Sequence, residues 1–134
     1  MKFLIDTNIL ISAALFPNGK VSFVLSHILE SHKLIISSYS LVECKTVFAR
    51  KFTDKMDILI AFLKEIDFET YQTPTEIDRL KFPYIRDEKD LPILVSAILS
   101  DADILLTGDK DFQSIPLKKP IIFTPSEYFD LIED

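Results

Sequence analysis

Glycine is scarce in this sequence: Gly19 and Gly108 are the only two among 134 residues. Neither the G-x-G-x-x-G fingerprint of dinucleotide-binding domains nor the phosphate loop G-x-x-x-x-G-K-S/T can be written with these two glycines. The sequence therefore excludes a glycine-rich loop as the means of holding a phosphate group.

Cysteine and long apolar runs are also lacking. Cys44 is the only cysteine, so an intrachain disulfide is impossible, which fits a protein of the reducing cytoplasm. The apolar opening stretch, residues 2–11, is interrupted by Asp6 and Asn8. It is too short and too polar for a transmembrane helix or a signal peptide, so we expect no membrane association.

Positive charge is in short supply. The chain has 15 Lys and Arg residues against 21 Asp and Glu residues, which gives a formal net charge of −6. This balance argues against a general electrostatic coat for nucleic acid. Two histidines and one cysteine do not form the cluster that a zinc site needs. The excess of carboxylates indicates either a solvated acidic surface or a clustered acidic site.

Short apolar runs alternate along the chain with segments of helical periodicity. The runs predict strands over residues 1–6, 34–36, 66–73, 103–107 and 120–123. The periodic segments predict helices over residues 7–15, 20–31, 41–51, 55–65, 91–100 and 125–132. The polar segment 74–89 is predicted to be a loop with a short helix over 75–80. This alternation predicts a single α/β domain, residues 1–134, with a three-layer α/β/α architecture and a mainly parallel sheet of about five strands.

Four acids stand near the ends of predicted strands or the starts of predicted helices. Asp6 ends the first strand, Glu43 begins the helix after the second, Asp90 begins the helix before the fourth, and Asp109 follows the fourth. The carboxyl ends of parallel strands share one edge of a sheet, where ligands bind. We expect Asp6, Glu43 and Asp109 to converge there, and Asp90 to join them if the loop 74–89 returns along that edge.

Each acid also has a purely structural interpretation. Ser40-x-x-Glu43 has the spacing of a capping box. Asp90 and Asp6 are suitable N-caps, although Thr7 or Asn8 is the expected cap of the first helix. Asp109 suits a turn. A carboxylate has several lone pairs, so capping and metal binding are compatible.

Four carboxylates in one crevice would repel one another and raise their pKa values. Such a cluster is reasonable only around a cation, and oxygen-only ligands favour Mg²⁺ or Mn²⁺. A phosphodiester is a suitable substrate for a cation held this way. The residues alone therefore predict an acidic, metal-dependent site.

Four segments, in this order, resemble the PIN-domain family. They are Leu4-Ile-Asp-Thr-Asn8, Ser40-x-x-Glu43, Asp87-Glu-Lys-Asp90 followed by Ala97, and Leu106-Thr-Gly-Asp-Lys-Asp-Phe112. The resemblance runs from residue 3 to about residue 125. It depends on the presence of all four segments in this order rather than on any single one of them. The chain is most similar to VapC-like PIN proteins, the ribonuclease toxins of bacterial and archaeal toxin–antitoxin systems.

The resemblance implies a three-layer α/β/α fold, a Mg²⁺- or Mn²⁺-dependent ribonuclease, and a homodimer inhibited by a small antitoxin protein. The catalytic and metal-binding acids that it implies are Asp6, Glu43, Asp90 and Asp109. The auxiliary polar residues that it implies are Asn8, Thr107 and Asp111. Asp87 competes with Asp90 for the third place, and Asp90 is preferred because its distances to Ala97 and Thr107 fit the family's helix better.

An RNA-cutting enzyme with an acidic chain would need local cations for phosphate contacts. The candidate cations near the acids are Lys45, Arg50, Lys51, Arg86, Lys89 and Lys110. Lys45 and Arg86 are preferred because each neighbours a position of the acidic quartet.

Two rival interpretations belong to other functional classes. In the first, the acids are caps and turns of an interaction module with little or no catalytic activity. In the second, the first-strand Asp is the nucleophile of a phosphatase. A haloacid-dehalogenase-type phosphatase needs Asp-x-Asp after the first strand, whereas this chain has Asp6-Thr7-Asn8. The phosphatase interpretation is therefore rejected, and the interaction module stays as the alternative.

Overall fold

The computed structural model describes residues 1–133 and contains five strands and seven α-helices. The strands are β1 (Lys2–Ile5), β2 (Lys33–Ser37), β3 (Glu69–Tyr71), β4 (Ile104–Leu106) and β5 (Ile121–Phe123). The helices are α1 (Thr7–Leu15), α2 (Lys20–Ser31), α3 (Ser38–Lys51), α4 (Met56–Glu65), α5 (Leu91–Leu99), α6 (Lys110–Gln113) and α7 (Pro125–Glu133). Short 3₁₀ turns occupy Thr53–Lys55, Arg79–Lys81 and Glu88–Asp90.

All five strands pair in parallel, in the order β3-β2-β1-β4-β5. In the centre of the sheet, Leu4 of β1 is in register with Ile35 of β2 and with Leu105 of β4. The chain builds outward from β1 to β3, then returns to the other side of β1 for β4 and β5. The strand order therefore reverses between β1 and β4, and a crevice opens at such a point.

The two faces of β1 enter two different cores, because successive side chains of a strand point to opposite faces. Phe3 and Ile5 pack in a cluster with buried residues of α1, α2, α3, α4 and α7. Leu4 packs in a second cluster with α5, α6 and residues of the connecting loops, including Ile85. The three-layer α/β/α architecture with an all-parallel sheet is confirmed, with one thick and one thin helical layer.

The side chains that cap α1 and α3 differ from those expected. The side chain of Asp6, rather than Thr7 or Asn8, caps α1, since Asp6 Oδ1 accepts from the backbone N–H of Ile9 at 2.9 Å. Ser37 caps α3 and accepts from the N–H of Ser40 at 3.0 Å.

The Ser40–Glu43 capping box is therefore wrong. The helix α3 begins directly at the end of β2, three residues earlier than predicted, so Glu43 lies in its second turn rather than its first. The side chain of Asp90 makes no capping hydrogen bond to α5, so that structural interpretation of Asp90 is wrong as well.

Two further predictions differ from the structure. The strand predicted over 66–73 is only Glu69–Tyr71, because β3 is an edge strand that pairs with β2 alone. The short helix predicted over 75–80 is replaced by a 3₁₀ turn at Arg79–Lys81. Asp78 caps this turn and accepts from the N–H of Leu80 at 3.1 Å, a local bond that competes with helix formation.

Within residues 1–133, no single helix is long and apolar enough to cross a membrane. The adjacent helices α1 and α2 would be long and apolar enough only if they were joined end to end, and the chain bends by 106° at the break between them.

The thin layer generates a stability prediction. Leu94 of α5 is fully buried, whereas Leu99 at the end of the same helix is 47% exposed. We expect Leu94→Ala to lower the free energy of unfolding by about 2–5 kcal/mol, because it leaves a cavity under the only long helix of that layer. Leu99→Ala should cost about 1 kcal/mol or less. Urea unfolding followed by circular dichroism measures both, and equal losses would contradict this packing.

Candidate active site

A polar cavity of about 220 Å³ opens at the carboxyl edge of the sheet, beside the reversal between β1 and β4. Its lining is dominated by carboxylates, with one cation and a few neutral side chains. The lining residues are Asp6, Thr7, Asn8, Glu43, Val47, Asp87, Lys89, Asp90, Ile93 and Asp109. All four predicted quartet acids and the competing Asp87 therefore face one space.

Asp6 is held by three hydrogen bonds directly after β1. Its backbone N–H donates to the carbonyl of Leu106 at 3.2 Å, which extends the pairing of β1 with β4 by one residue. One carboxylate oxygen accepts from the N–H of Ile9, and the other accepts from the hydroxyl of Thr107. The side chain is 4% exposed, so its position is fixed inside the fold.

Burial raises the pKa of Asp6 from 3.8 to about 6, although the hydrogen bonds from Thr107 and Ile9 act to lower it. The negative charges of Asp109 and Glu43 raise this pKa further. The site therefore disfavours the ionised form of Asp6 until a positive charge enters the cavity.

Thr107 connects Asp6 to Asp109. Its fully buried hydroxyl donates to Asp6 and accepts from the backbone N–H of Asp109 at 3.0 Å. Asp109 in turn caps α6, since its Oδ1 accepts from the N–H of Asp111 at 2.9 Å. The predicted auxiliary residue Thr107 thus orients two members of the quartet, and Gly108 lies in the turn between them.

Asp90 supplies the observation that points most directly to a cation. Its Oδ2 atom is buried and has no hydrogen-bond partner. Asp90, Asp109 and Asp111 each offer a carboxylate oxygen, and these three atoms lie within 4.8 Å of one another. Burial raises the pKa of Asp90 well above its usual range; the Asp109 carboxylate, which is close enough to share a proton with Asp90, and the charges of Asp109, Asp87 and Asp111 raise it further.

Glu43 reaches the cavity from the opposite side, on α3. Its Oε2 accepts from the hydroxyl of Tyr39 at 3.2 Å, one helical turn away. Burial, followed by the charge and hydrogen bond of Glu43, raises the pKa of Tyr39 to about 12, so the phenol keeps its proton. The predicted auxiliary residue Asn8 lies exposed at the rim of the same cavity.

A second set of polar residues supports the site and was not predicted. The hydroxyl of Thr7 donates to the hydroxyl of Ser40 at 3.0 Å, and both side chains are buried. This bond ties the start of α1 to the start of α3, and Ser37 caps α3 beside it. The sequence signal that could have indicated this pair is the small polar residue found shortly after each of two apolar runs, Thr7 after the first strand and Ser40 after the second.

The two preferred phosphate contacts are placed differently from expectation. Lys45 is exposed and is not among the residues that line the cavity. Arg86 forms a bidentate pair with Asp111, with Nε–Oδ1 at 3.1 Å and Nη2–Oδ2 at 2.9 Å. Lys89, which had the lower preference, is the cation that lines the cavity. Arg86 therefore partly neutralises the acidic cluster.

The donor set fits a hard divalent cation. The cluster offers carboxylate oxygens, which Mg²⁺ and Mn²⁺ prefer, and one of them is buried without a partner. Burial, followed by the neighbouring carboxylates, raises the pKa values of Asp6 and Asp90, and a bound cation would act against both causes.

Comparison with known proteins identifies the family of this chain. Residues 2–111 match a sequence model of the PIN domain. This chain belongs to the PIN-domain family. No curated protein sequence matches it.

Solved structures give the same fold for this PIN domain. It is similar to a chain in the crystal structure of VapBC2 from Rickettsia felis bound to a DNA fragment from their promoter, with a TM-score of 0.70 and 22% sequence identity. The similarity covers 92% of this PIN domain and 98% of the other chain. At this identity the similarity shows the fold, and the roles of individual residues stay predictions.

The buried acids generate a prediction on pH. In the folded, metal-free PIN domain the pKa of Asp6 lies above its unfolded value, so the folded state binds the proton more tightly. In EDTA, the free energy of unfolding should therefore fall as the pH rises from about 4 through about 6. Asp6→Asn should flatten this fall in part, since Asn also caps a helix and carries no charge. Urea unfolding at pH 5 and pH 8 measures it, and a parent protein more stable at pH 8 would contradict it.

The competition between Asp87 and Asp90 generates a second prediction. Asp90 has the unpartnered oxygen, whereas Oδ1 of Asp87 accepts from the N–H of Lys89 at 3.0 Å. We expect Asp90→Asn to weaken Mn²⁺ binding by roughly 10-fold or more, and Asp87→Asn to weaken it clearly less, because loss of a ligand exceeds loss of an outer charge. Calorimetric titration with Mn²⁺ compares the two matched variants. A larger loss for Asp87→Asn would assign the third place to Asp87.

Proposed function

We propose that this PIN domain is a Mg²⁺- or Mn²⁺-dependent ribonuclease that hydrolyses RNA phosphodiester bonds, and that it is the toxin of a toxin–antitoxin system. The observation that carries the proposal is the buried, unpartnered Oδ2 of Asp90 in a cavity shared with Asp6, Glu43 and Asp109. Scattered caps and turns would not require these four acids to line one space.

The chemistry follows from the donor set. A divalent cation bound by carboxylates lowers the pKa of a water molecule and neutralises charge on a phosphodiester. Asp6, Glu43, Asp90 and Asp109 are the residues that would hold it. A bound cation would offset the burial and the mutual repulsion that raise the pKa values of Asp6 and Asp90.

The surrounding residues orient these acids. Thr107 donates its only hydroxyl proton to Asp6 and accepts from the N–H of Asp109, which fixes the carboxylate of Asp6 and the backbone of Asp109 relative to the sheet. Asn8 presents an exposed amide at the rim, where it can bond to a ligand or a water molecule. Arg86 holds Asp111 and limits the negative charge that an incoming phosphate meets.

The choice of RNA and of an antitoxin partner is supported by the resemblance of the four motifs to VapC-like toxins. The similarity in fold to a chain of the VapBC2 complex is consistent with this choice. We further propose a homodimer that acts in the cytoplasm and is inhibited by a small antitoxin protein. These assignments extend the family relationship to this chain.

An interaction module without catalysis is the alternative, and one observation favours it. Asp6 and Asp109 both cap helices, so each has a structural role without any metal. Asp90 has no such role, because its side chain makes no capping bond. The interaction-module interpretation therefore accounts for the positions of Asp6 and Asp109 but gives no reason for the buried, unpartnered oxygen of Asp90.

The decisive variant is Asp6→Asn. We expect it to lower the rate of Mg²⁺-dependent cleavage of a mixed RNA pool by roughly 100-fold or more, because loss of an outer partner of a metal ligand alone costs about 10- to 100-fold. The fold should persist, since Asn is as good an N-cap as Asp. Gel assays in Mg²⁺, in Mn²⁺ and in EDTA, with circular dichroism of each protein, provide the measurement.

Asp54→Asn is the matched control, because Asp54 is an exposed acid on the 3₁₀ turn between α3 and α4. It should cleave at the parental rate. Cleavage by Asp6→Asn at the parental rate would reject the metal-site mechanism. No cleavage by the parent in either metal, together with no rise in its melting temperature, would favour the interaction module.

A further inference from the structure

A second groove continues from the acidic cavity along the outer surface of α3. It has a volume of about 300 Å³ and is lined by Tyr39, Val42, Glu43, Thr46, Val47, Arg50 and Lys89. We call it the α3 groove. Three of its lining residues, Glu43, Val47 and Lys89, also line the acidic cavity. The two spaces are therefore continuous, and a polymer cut in the cavity would extend into the groove.

The charge of the α3 groove is opposite to that of the cavity. Arg50 and Lys89 are both exposed cations, and no ion pair within residues 1–133 includes either of them. The only acid of the groove is Glu43, which accepts a hydrogen bond from Tyr39. A protein with a net charge of −6 thus places two cations without acidic partners directly beside its acidic site.

The spacing along α3 gives the groove its direction. Glu43, Thr46 and Arg50 are separated by three and four residues, so they share one face of the helix. At 1.5 Å per residue, Glu43 and Arg50 are about 10 Å apart along the axis. In duplex DNA the phosphates of one strand follow one another about every 3.4 Å along the axis, so a length of about 10 Å can accommodate more than one phosphate of a strand.

We propose that the α3 groove binds the RNA strand on one side of the scissile phosphodiester, with Lys89 and Arg50 contacting its phosphates. Lys89 lies where the groove meets the cavity, and Arg50 lies about two helical turns beyond Glu43 toward the end of α3. Thr46 lies between them with its hydroxyl donating to the carbonyl of Val42 at 2.9 Å, so the phosphate contacts come from the two cations, and Val42 and Val47 supply an apolar surface. This inference rests on the proposed ribonuclease function and assigns its substrate-binding surface.

The test uses the full chain in the Asp6→Asn background, so that RNA is bound without being cut. The double variant Arg50→Gln/Lys89→Gln should raise the Kd for a fluorescent single-stranded RNA by roughly 10-fold or more in Mg²⁺. Between about 25 and 200 mM salt, the slope of log Kd against log salt should fall by about 1.4, because each phosphate contact to a single strand contributes about 0.7.

The matched control is Lys55→Gln/Lys64→Gln, which removes the same charge from two exposed lysines near α4. It should leave both the Kd and the salt slope close to those of the background protein. Lys45→Gln, on the same helix but outside the groove, should have a smaller effect than Arg50→Gln alone.

Three outcomes overturn the inference in distinguishable ways. Equal losses in the control and groove variants would show a general charge effect rather than a groove. An unchanged Kd, with a changed sedimentation coefficient for Arg50→Gln/Lys89→Gln, would assign the groove to contact between copies of this chain. Failure of the background protein to bind RNA, with failure of the parent to cleave it, would reject the ribonuclease function together with the groove.

Discussion

The structure depends on one electrostatic constraint: several carboxylates are brought together where the strand order reverses between β1 and β4. Like charges at close range raise one another's proton affinity, and burial of Asp6 and Asp90 adds to this cost. Such an unfavourable free energy must be offset by favourable interactions elsewhere in the fold. Here the helix caps, the hydroxyl of Thr107 and the guanidinium of Arg86 compensate in part. The remaining deficit of positive charge is what makes the cavity suited to a cation.

The same constraint organises the surface around the site. A negative cavity alone would repel a phosphodiester, and the chain as a whole is acidic. The cations close to the cavity fall into two classes, those engaged by carboxylates and those that are not. Arg86 is engaged by Asp111, whereas Lys89 and Arg50 lie outside the ion pairs of residues 1–133. Net charge therefore says little about a nucleic-acid surface in this protein, because the charges are segregated over about 10 Å.

The sequence was informative where the chemistry is local. Asp6 follows an apolar run directly and Asp109 follows one after Thr107 and Gly108, so their place at the sheet edge could be predicted, as could the parallel sheet and the three layers. Asp90 could be placed only conditionally, because its position depends on the course of residues 74–89, which carry no regular periodicity.

The cap of α3 was assigned to Ser40 instead of Ser37, since hydroxyl residues at 37, 38 and 40 offer the same local signal. The sequence could not show which cations border the cavity, because the packing of α3 decides which of its faces, and so which of Lys45 and Arg50, lies beside it. The four-residue helix α6 was missed because it is too short to show a period.

The unequal thickness of the two helical layers has a mechanical consequence. Asp6 directly precedes α1 and Glu43 lies on α3, both in the thick layer, whereas Asp90 and Asp109 directly precede α5 and α6 in the thin layer. The thin layer has fewer buried contacts to lose. We therefore expect its local unfolding to require less free energy than local unfolding of the thick layer. A cation bound by all four side chains would link the two helical layers at the edge of the sheet. Metal occupancy would then govern how often the thin layer detaches, independently of any bond that the protein cuts.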